Sequence, residues 1–173
     1  MFSQEQLVVY PAQGVGVIER VETQEVGGNR TEFYIVRILG SNVTLMVPVK
    51  TARKVGLRDL STPEECDRIM ESLKERCKLT SYAGQNWNRR YREYSERLQT
   101  GSLIDSCHVL KELFLISGDK ELSFGERRLL EQAMVLVSME IACVLEREQK
   151  EIQRRIEGLF DNALHTAENG KTG

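Results

Sequence analysis

The chain has 173 residues, of which 40% are hydrophobic and 29% are charged, and its formal net charge is -2. This length and composition fit one globular domain or two small ones. A net charge so close to zero excludes a uniformly basic nucleic-acid coat protein, so any contact with nucleic acid has to come from a local patch of cations.

Membrane association and secretion are not predicted. No apolar run approaches the roughly 20 residues that a membrane helix needs. The first residues, MFSQEQLVVYP, lack the basic start and the long apolar core of a signal peptide, so we expect a cytoplasmic protein.

The cysteines and histidines do not form a metal site in the sequence. No pair of cysteines has CxxC spacing and no histidine lies at ligand spacing beside one, so we predict neither a metal nor a cofactor. In a reducing cytoplasm we expect the thiols to be buried as small apolar residues. The four cysteines are Cys66, Cys77, Cys107 and Cys143.

Motifs of the common enzyme classes are absent. The sequence contains no GxSxG, HExxH or Walker-type loop. The pair Gly14 and Gly16 lies between strand-like runs, without the following helix that a dinucleotide site requires. We therefore predict a non-enzymatic protein that has no small-molecule substrate.

Residues 6–60 have the pattern of short β-strands separated by turns. Two runs rich in β-branched residues, 7–10 and 16–21, precede the pair Gly27-Gly28, which is typical of a hairpin turn. The runs TEFYIVRIL and VTLMVPV follow, and Pro48 near the end of the second indicates an edge strand or a strand terminus. This spacing predicts a small barrel of the SH3 or Tudor kind over residues 1–61.

The pattern changes to that of helices at residue 61, which predicts an α+β protein with a β-barrel followed by an all-helical domain over residues 62–164. Thr62 and Pro63 are typical of an N-cap and a first helical position, and Ser123 with Glu126 of a capping box. Further helices are predicted over residues 86–100 and 102–116. Residues 126–157 contain no breaker and fit one long helix or two with a bend near 146–149. We expect a disordered tail over residues 165–173.

The helix that begins near Asn86 combines aromatic residues with arginines, as nucleic-acid surfaces do. On a helical wheel, Tyr91, Tyr94 and Leu98 fall close to Trp87, which predicts a packing face. Trp87 lies in the first turn and can project past the end of the helix. The surrounding arginines form a basic rim around this packing face. Arg89 and Arg92 lie on the opposite side of the helix, and Arg90 and Arg97 flank the packing face.

A second basic pair, Arg127-Arg128, lies in the first turn of the helix that follows Ser123. Cations are unfavourable at this end of a helix. Phosphate binding at the helix N-terminus would explain them, and surface solubility explains them equally well.

Four segments carry a resemblance to a known family. They are VVYPAQGVGVIERVET, VTLMVPVKTARKVGLRDL, NWNRRY and LSFGERRLLEQA, in this order and at these intervals. With them, the chain from about Leu7 to Asn162 resembles the CarD/CdnL family of bacterial RNA polymerase-binding transcription regulators. The β part alone is also similar to the polymerase-interacting domain of transcription–repair coupling factors.

The resemblance implies that the Tudor-like domain docks on the β subunit of RNA polymerase. Val36, Met46 and Pro48 occupy positions that match the family's docking surface. Some relatives carry arginine at the positions of Met46 and Gln24. We therefore expect docking here to depend on apolar contact and pairing at a strand edge.

The resemblance also implies that the helical domain reaches promoter DNA with little sequence specificity and stabilises the open complex. Trp87 matches a tryptophan that acts as a wedge at the upstream edge of the transcription bubble. Arg89 and Arg90 match phosphate-binding residues, with Arg92 close by, and Arg127 and Arg128 are further candidates. The protein would be associated with the nucleoid through the polymerase. The competing hypothesis is a protein–protein adaptor that binds a partner without touching DNA.

Overall fold

The computed structural model describes residues 1–75 and 87–169, and the chain divides into an N-terminal unit, Met1–Leu60, and a helical unit from Ser61 onward. The strands are β1 (Leu7–Tyr10), β2 (Gly14–Val26), β3 (Asn29–Ile38), β4 (Thr44–Pro48) and β5 (Arg58–Asp59). The helices are α1 (Pro63–Lys74), α2 (Trp87–Gln99), α3 (Leu103–Asp119), α4 (Phe124–Leu145) and α5 (Gln149–Asn169). The predicted α+β fold, with strands first and helices after, is confirmed.

The N-terminal unit is one antiparallel sheet with the strand order β4-β3-β2-β1-β5. The predicted turn at Gly27-Gly28 joins β2 to β3, and both glycines have positive φ. Pro48 is the last residue of β4, which lies at the edge of the sheet as the sequence predicts. The sequence is compatible with four or five strands but does not locate β5, which pairs with β1 over two residues. A strand of two residues is too short to show the alternation of apolar and polar side chains that marks the others.

One face of the sheet carries the core of the N-terminal unit. Val8, Ile18 and Val36 are completely buried, and the hydroxyl of Tyr34 accepts a hydrogen bond from the backbone N–H of Phe2 at 3.0 Å. That bond satisfies the one polar atom of a buried tyrosine side chain. The full set of buried core residues is Phe2, Val8, Ile18, Tyr34, Val36, Ile38, Val47, Ala52 and Leu57.

The predicted capping residues of the helical unit are confirmed. The side chain of Thr62 accepts a hydrogen bond from the backbone N–H of Glu65, and Glu65 accepts one from the backbone N–H of Thr62. Ser123 and Glu126 form the same reciprocal capping box at the start of α4. Such boxes satisfy backbone donors that a helix leaves unpaired at its N-terminus.

The last helical segment of the sequence is two helices, not one. Helix α4 ends at Leu145, and Glu146 follows in the left-handed conformation with φ 54° and ψ 49°. Its backbone N–H donates to Ala142 O, which closes the helix end. Helix α5 continues to Asn169, past the predicted end of the helical domain at residue 164 and into the segment predicted to be disordered. Residues 170–173 lie outside the described residues.

The helical unit begins with a buried polar contact. Glu140 of α4 is 2% exposed, and its Oε2 accepts hydrogen bonds from the backbone N–H of Ser61 at 2.9 Å and from the Ser61 hydroxyl at 2.6 Å. A buried carboxylate needs such donors to offset its lost hydration. These bonds fix Ser61 directly before the capping box of α1.

The described cysteines agree with the expected apolar role. Cys66 and Cys107 are buried and Cys143 is partly buried, and all three are free. Burial, with a smaller effect of the Glu140 carboxylate, raises the pKa of the Cys66 thiol to about 11. The Cys66 thiol is therefore protonated at neutral pH, whereas Cys77 lies outside the described residues.

Across the described ranges 1–75 and 87–169, no helix combines the length and the low polarity that a bilayer crossing requires. The same residues contain no cluster of three or more metal-binding side chains.

Substitution of Gly56 tests the backbone conformation of the turn that precedes β5 in the N-terminal unit. Its φ is +100°, and an added Cβ would lie 2.6 Å from Cγ of Pro11. We expect Gly56→Ala to lower the free energy of unfolding by roughly 1–3 kcal/mol, because alanine adopts this backbone conformation only under strain. Urea denaturation followed by amide NMR signals, which report the two units separately, measures the change.

Gly158 in α5 is the matched control, since an added Cβ there meets nothing within 4 Å. We expect Gly158→Ala to stabilise the helical unit by about 1 kcal/mol. A Gly56→Ala variant as stable as the wild type would contradict the backbone conformation of this turn.

Candidate nucleic-acid surface and docking strand

Helix α2 carries the aromatic and arginine-rich stretch identified in the sequence. It begins at Trp87 and ends at Gln99, after which the hydroxyl of Thr100 donates to Arg97 O at 2.9 Å and Gly101 adopts φ 77°. Trp87 is thus in the first turn, as predicted. Its side chain lies outside the described part of the structure, as do residues 76–86.

The packing face of α2 is narrower than predicted. Tyr94 and Leu98 are each 1% exposed and belong to the core of the helical unit. Tyr91 is 45% exposed, so the prediction that it packs in the interior is wrong. The helical wheel gives the direction of the Tyr91 side chain about the helix axis but not its depth of burial.

The arginines of α2 differ in exposure. Arg89 is exposed and makes no ion pair with any described residue. Arg92 is exposed, and its Nε lies 3.1 Å from Oε1 of Glu96 in a solvent-exposed pair, the kind that contributes little to stability. Arg90 is half buried and its Nε is shielded from solvent, so it is less accessible than the sequence predicted.

The first turn of α4 presents the second basic pair and an exposed aromatic ring. Arg127 pairs with Glu121 at 2.7 Å, which offsets the unfavourable position of a cation at a helix N-terminus. The guanidinium of Arg128 lies 6.0 Å from the ring centroid of Phe124, and Phe124 is 78% exposed. Sequence reasoning missed Phe124, although an aromatic residue after an N-cap with arginine four positions later is a usable signal.

The connections between helices indicate that these two basic turns lie at one end of the helical unit. Two short connections, 100–102 and 120–123, join α2 to α3 and α3 to α4. Short connections are typical of antiparallel neighbours, which gives α2 and α4 the same direction. We therefore infer that Arg89 and Arg90 of α2 share an end with Phe124 and Arg128 of α4.

The predicted docking residues lie on two adjacent strands of the N-terminal unit. Val36 of β3 is completely buried, so its side chain is not available for a surface contact, and this part of the expectation needs correction. Met46 is 46% exposed and Pro48 is partly exposed, both on the edge strand β4. Strand β4 pairs only with β3, so its other backbone edge carries no strand partner in the sheet.

Comparison with known protein families gives a match to each unit. Residues 2–61 match the family described as CarD-like/TRCF RID domain. Residues 68–157 match the family described as CarD, C-terminal domain.

Individual proteins give matches of the same kind. A proposed transcription factor, YdeB of Bacillus subtilis (strain 168), is 24% identical over 148 residues, which cover 84% of this chain and 94% of that protein. The solved structure of CdnLNt from Myxococcus xanthus is 41% identical over 34% of this chain and 83% of its own, with a TM-score of 0.30.

The free energies of unfolding of two variants test the division of α2 into a buried and an exposed side. We expect Leu98→Ala to lower the free energy of unfolding of the helical unit by roughly 2–5 kcal/mol, because it leaves a cavity in the core. Tyr91→Ala should cost about 1 kcal/mol, since much of the ring is already in water. Denaturant unfolding curves of both variants measure this, and equal losses would contradict the observed burial.

Proposed function

The chain belongs to the CarD family of transcription regulators that act with RNA polymerase, and from this premise we propose that it docks on the polymerase β subunit and stabilises the promoter open complex. The observation that carries the proposal is the match of both units to the two family domains, in order, over residues 2–61 and 68–157. Neither unit contributes a catalytic step, and the two act as separate binding surfaces.

Docking uses the outer edge of the N-terminal sheet. Met46 supplies exposed apolar area on β4, and the free backbone edge of the same strand accepts a strand of the partner. Main-chain hydrogen bonds provide affinity in this arrangement, while side chains such as Met46 and Pro48 provide specificity. No arginine is needed on this strand for such contact.

DNA contact uses the end of the helical unit where α2 and α4 begin. Arg89 has no competing ion pair with a described residue, and Arg92 and Arg127 pair with exposed carboxylates. Such pairs are weak in water, so a phosphate can replace the carboxylate at little cost. Phe124 adds an exposed ring that can contact a base or a sugar, and the neighbouring Arg128 guanidinium can contact a phosphate.

Trp87 acts as the wedge. It stacks on a base step that is accessible only when the DNA is unwound or kinked, so the contact favours the open state over the closed one. Stacking on an aromatic side chain is worth roughly 1–3 kcal/mol per base. A difference of about 1.4 kcal/mol changes the ratio of open to closed complexes tenfold.

Weak contacts with the polymerase and with DNA are together enough to keep the protein at the promoter, because the bound polymerase holds it beside the DNA. Binding to the enzyme turns the DNA contact into an intramolecular event with a high effective concentration. Contacts to phosphates and stacked bases read the shape of the DNA and carry little sequence information. A chain with a net charge of -2 can therefore act on promoters without strong affinity for free DNA.

The half-life of the open complex tests the wedge. With polymerase and promoter DNA, we expect the wild type to lengthen this half-life and Trp87→Ala to shorten it about tenfold or more toward the value without the protein. Polymerase affinity and the thermal unfolding of Trp87→Ala should stay close to the wild type. An unfolded helical unit in this variant would instead place Trp87 in the core and refute the wedge.

The salt dependence of open-complex stability tests the proposed phosphate contacts of Arg89 and Arg90 independently of the wedge. We expect the double variant Arg89→Ala with Arg90→Ala to lower the slope of open-complex stability against salt, because fewer counterions are displaced from phosphate. The double variant Arg154→Ala with Arg155→Ala removes two exposed arginines from α5 and is the matched control. An unchanged slope in the first variant would favour an adaptor that does not touch DNA.

Docking is tested by a substitution on β4. We expect Met46→Arg to weaken binding to RNA polymerase about tenfold while the isolated protein stays folded. Val55→Arg, at a residue 44% exposed in the turn before β5, is the control and should change affinity less than twofold. Equal affinities of wild type and Met46→Arg in a binding titration would move the docking surface elsewhere.

A further inference from the structure

The hairpin of β2 and β3 extends past the rest of the sheet. The last pair between β3 and β4 joins Phe33 to Pro48, whereas β2 and β3 remain paired out to Val26 and Asn29. Residues 23–26 and 29–32 therefore form a two-stranded ribbon that pairs with no other strand. A two-stranded ribbon is at best marginally stable by itself, so core formation does not explain its length.

A cavity lies at the base of this ribbon. It has a volume of about 360 Å³ and is lined by Thr23, Arg30, Glu32, Val49 and Lys50. Thr23 pairs with Glu32, and Arg30 lies two residues before Glu32, so these side chains share the face that buries Tyr34. Val49 and Lys50 come from the short 3₁₀ helix Val49–Thr51 after β4.

The cavity is separate from the docking residues. In the β3–β4 register, Met46 pairs with Ile35 and Pro48 with Phe33. These residues alternate with Tyr34 along β3 and so belong to the opposite face of the sheet. A partner that reaches the cavity has to extend beyond the contact made at β4.

The cations in the cavity lack anionic partners. Within residues 1–60, every arginine other than Arg30 makes a hydrogen bond or an ion pair: Arg20 with Glu22, Arg37 with Glu19, Arg53 with Asp59, and Arg58 with the Asp59 carbonyl. Arg30 makes none with any residue that the structure describes, although Glu25 is its cross-strand neighbour. Lys50 likewise makes no ion pair with any described residue.

From these observations we propose that the cavity binds an acidic side chain of a protein partner, and, resting on the proposed function, that this partner is RNA polymerase. Arg30 donates to the incoming carboxylate through its guanidinium and Lys50 adds a second positive charge. Val49 contacts the methylene carbons of the same side chain. The inner face of the ribbon thus becomes a second docking site.

The lining favours a protein over other occupants. A nucleic acid would bring a row of phosphates against the carboxylates of Glu32 and Glu25, which share this face. A small organic ligand would need apolar and aromatic walls, and Val49 is the only hydrophobic residue among those that line the cavity. A polypeptide brings one carboxylate together with N–H and hydroxyl groups that pair with Glu32 and Thr23.

Charge reversal in the full-length protein tests the proposal. We expect Arg30→Glu and Lys50→Glu each to weaken binding to purified RNA polymerase core enzyme about tenfold in a titration. Lys54→Glu is the matched control: this exposed lysine of the same unit lies outside the cavity and is not ion-paired with a described residue. It should change the dissociation constant less than twofold, and thermal unfolding of all variants checks the fold.

The other outcomes overturn the proposal in distinguishable ways. If Met46→Arg weakens binding but Arg30→Glu does not, only the second docking site fails. Equal effects of Arg30→Glu and Lys54→Glu would indicate general charge attraction. A shorter open-complex half-life for Arg30→Glu at saturating protein, with unchanged polymerase affinity, would indicate DNA in the cavity. If the wild type does not bind the enzyme, the proposed function fails as well.

Discussion

Burial of Tyr94 and Leu98 fixes the rotation of α2 about its own axis, and the rest of the proposed DNA-binding surface depends on that rotation. Each residue is 1% exposed, and truncating Leu98 would leave a cavity in the core. Once these two side chains point inward, the helical period directs Arg89 and Arg92 to solvent and leaves Arg90 half buried. The buried residues of α2 lie in its second half, and Arg89 in the first turn is exposed, as the proposed contact with DNA requires.

In the N-terminal unit, too, some parts of the strands lie in the core and others lie outside it. Strand β4 is short and lies at an edge, so it leaves a backbone edge and the side chain of Met46 in solvent. Strands β2 and β3 are much longer, so they continue as a ribbon where the core stops. One sheet therefore offers two different surfaces, an apolar edge on one face and a polar cavity with unpaired cations on the other.

Two exposed arginines that make no ion pair with a described residue lie on the proposed binding surfaces, Arg89 in the helical unit and Arg30 in the N-terminal unit. Other exposed arginines are matched to a nearby carboxylate, as Arg20 is to Glu22 and Arg127 to Glu121. Arg89 is in the proposed DNA-binding turn and Arg30 lines the cavity, so the two units each keep an arginine available for an external anion.

Much of the fold was determined by the sequence because its signals are local. Caps at Thr62 and Ser123, the Gly27-Gly28 turn and the hydrophobic periods depend on residues within a few positions of one another. The break at Glu146 was left open between one long helix and two with a bend near 146–149, since a left-handed glutamate has no sequence signature. The helical wheel placed Tyr91 on the packing face, and the family resemblance placed Val36 on the docking surface. The exposure of both side chains depends on how the neighbouring elements pack, and only the tertiary structure decides that. The cavity between the ribbon and the 3₁₀ helix likewise joins residues that are distant in the sequence.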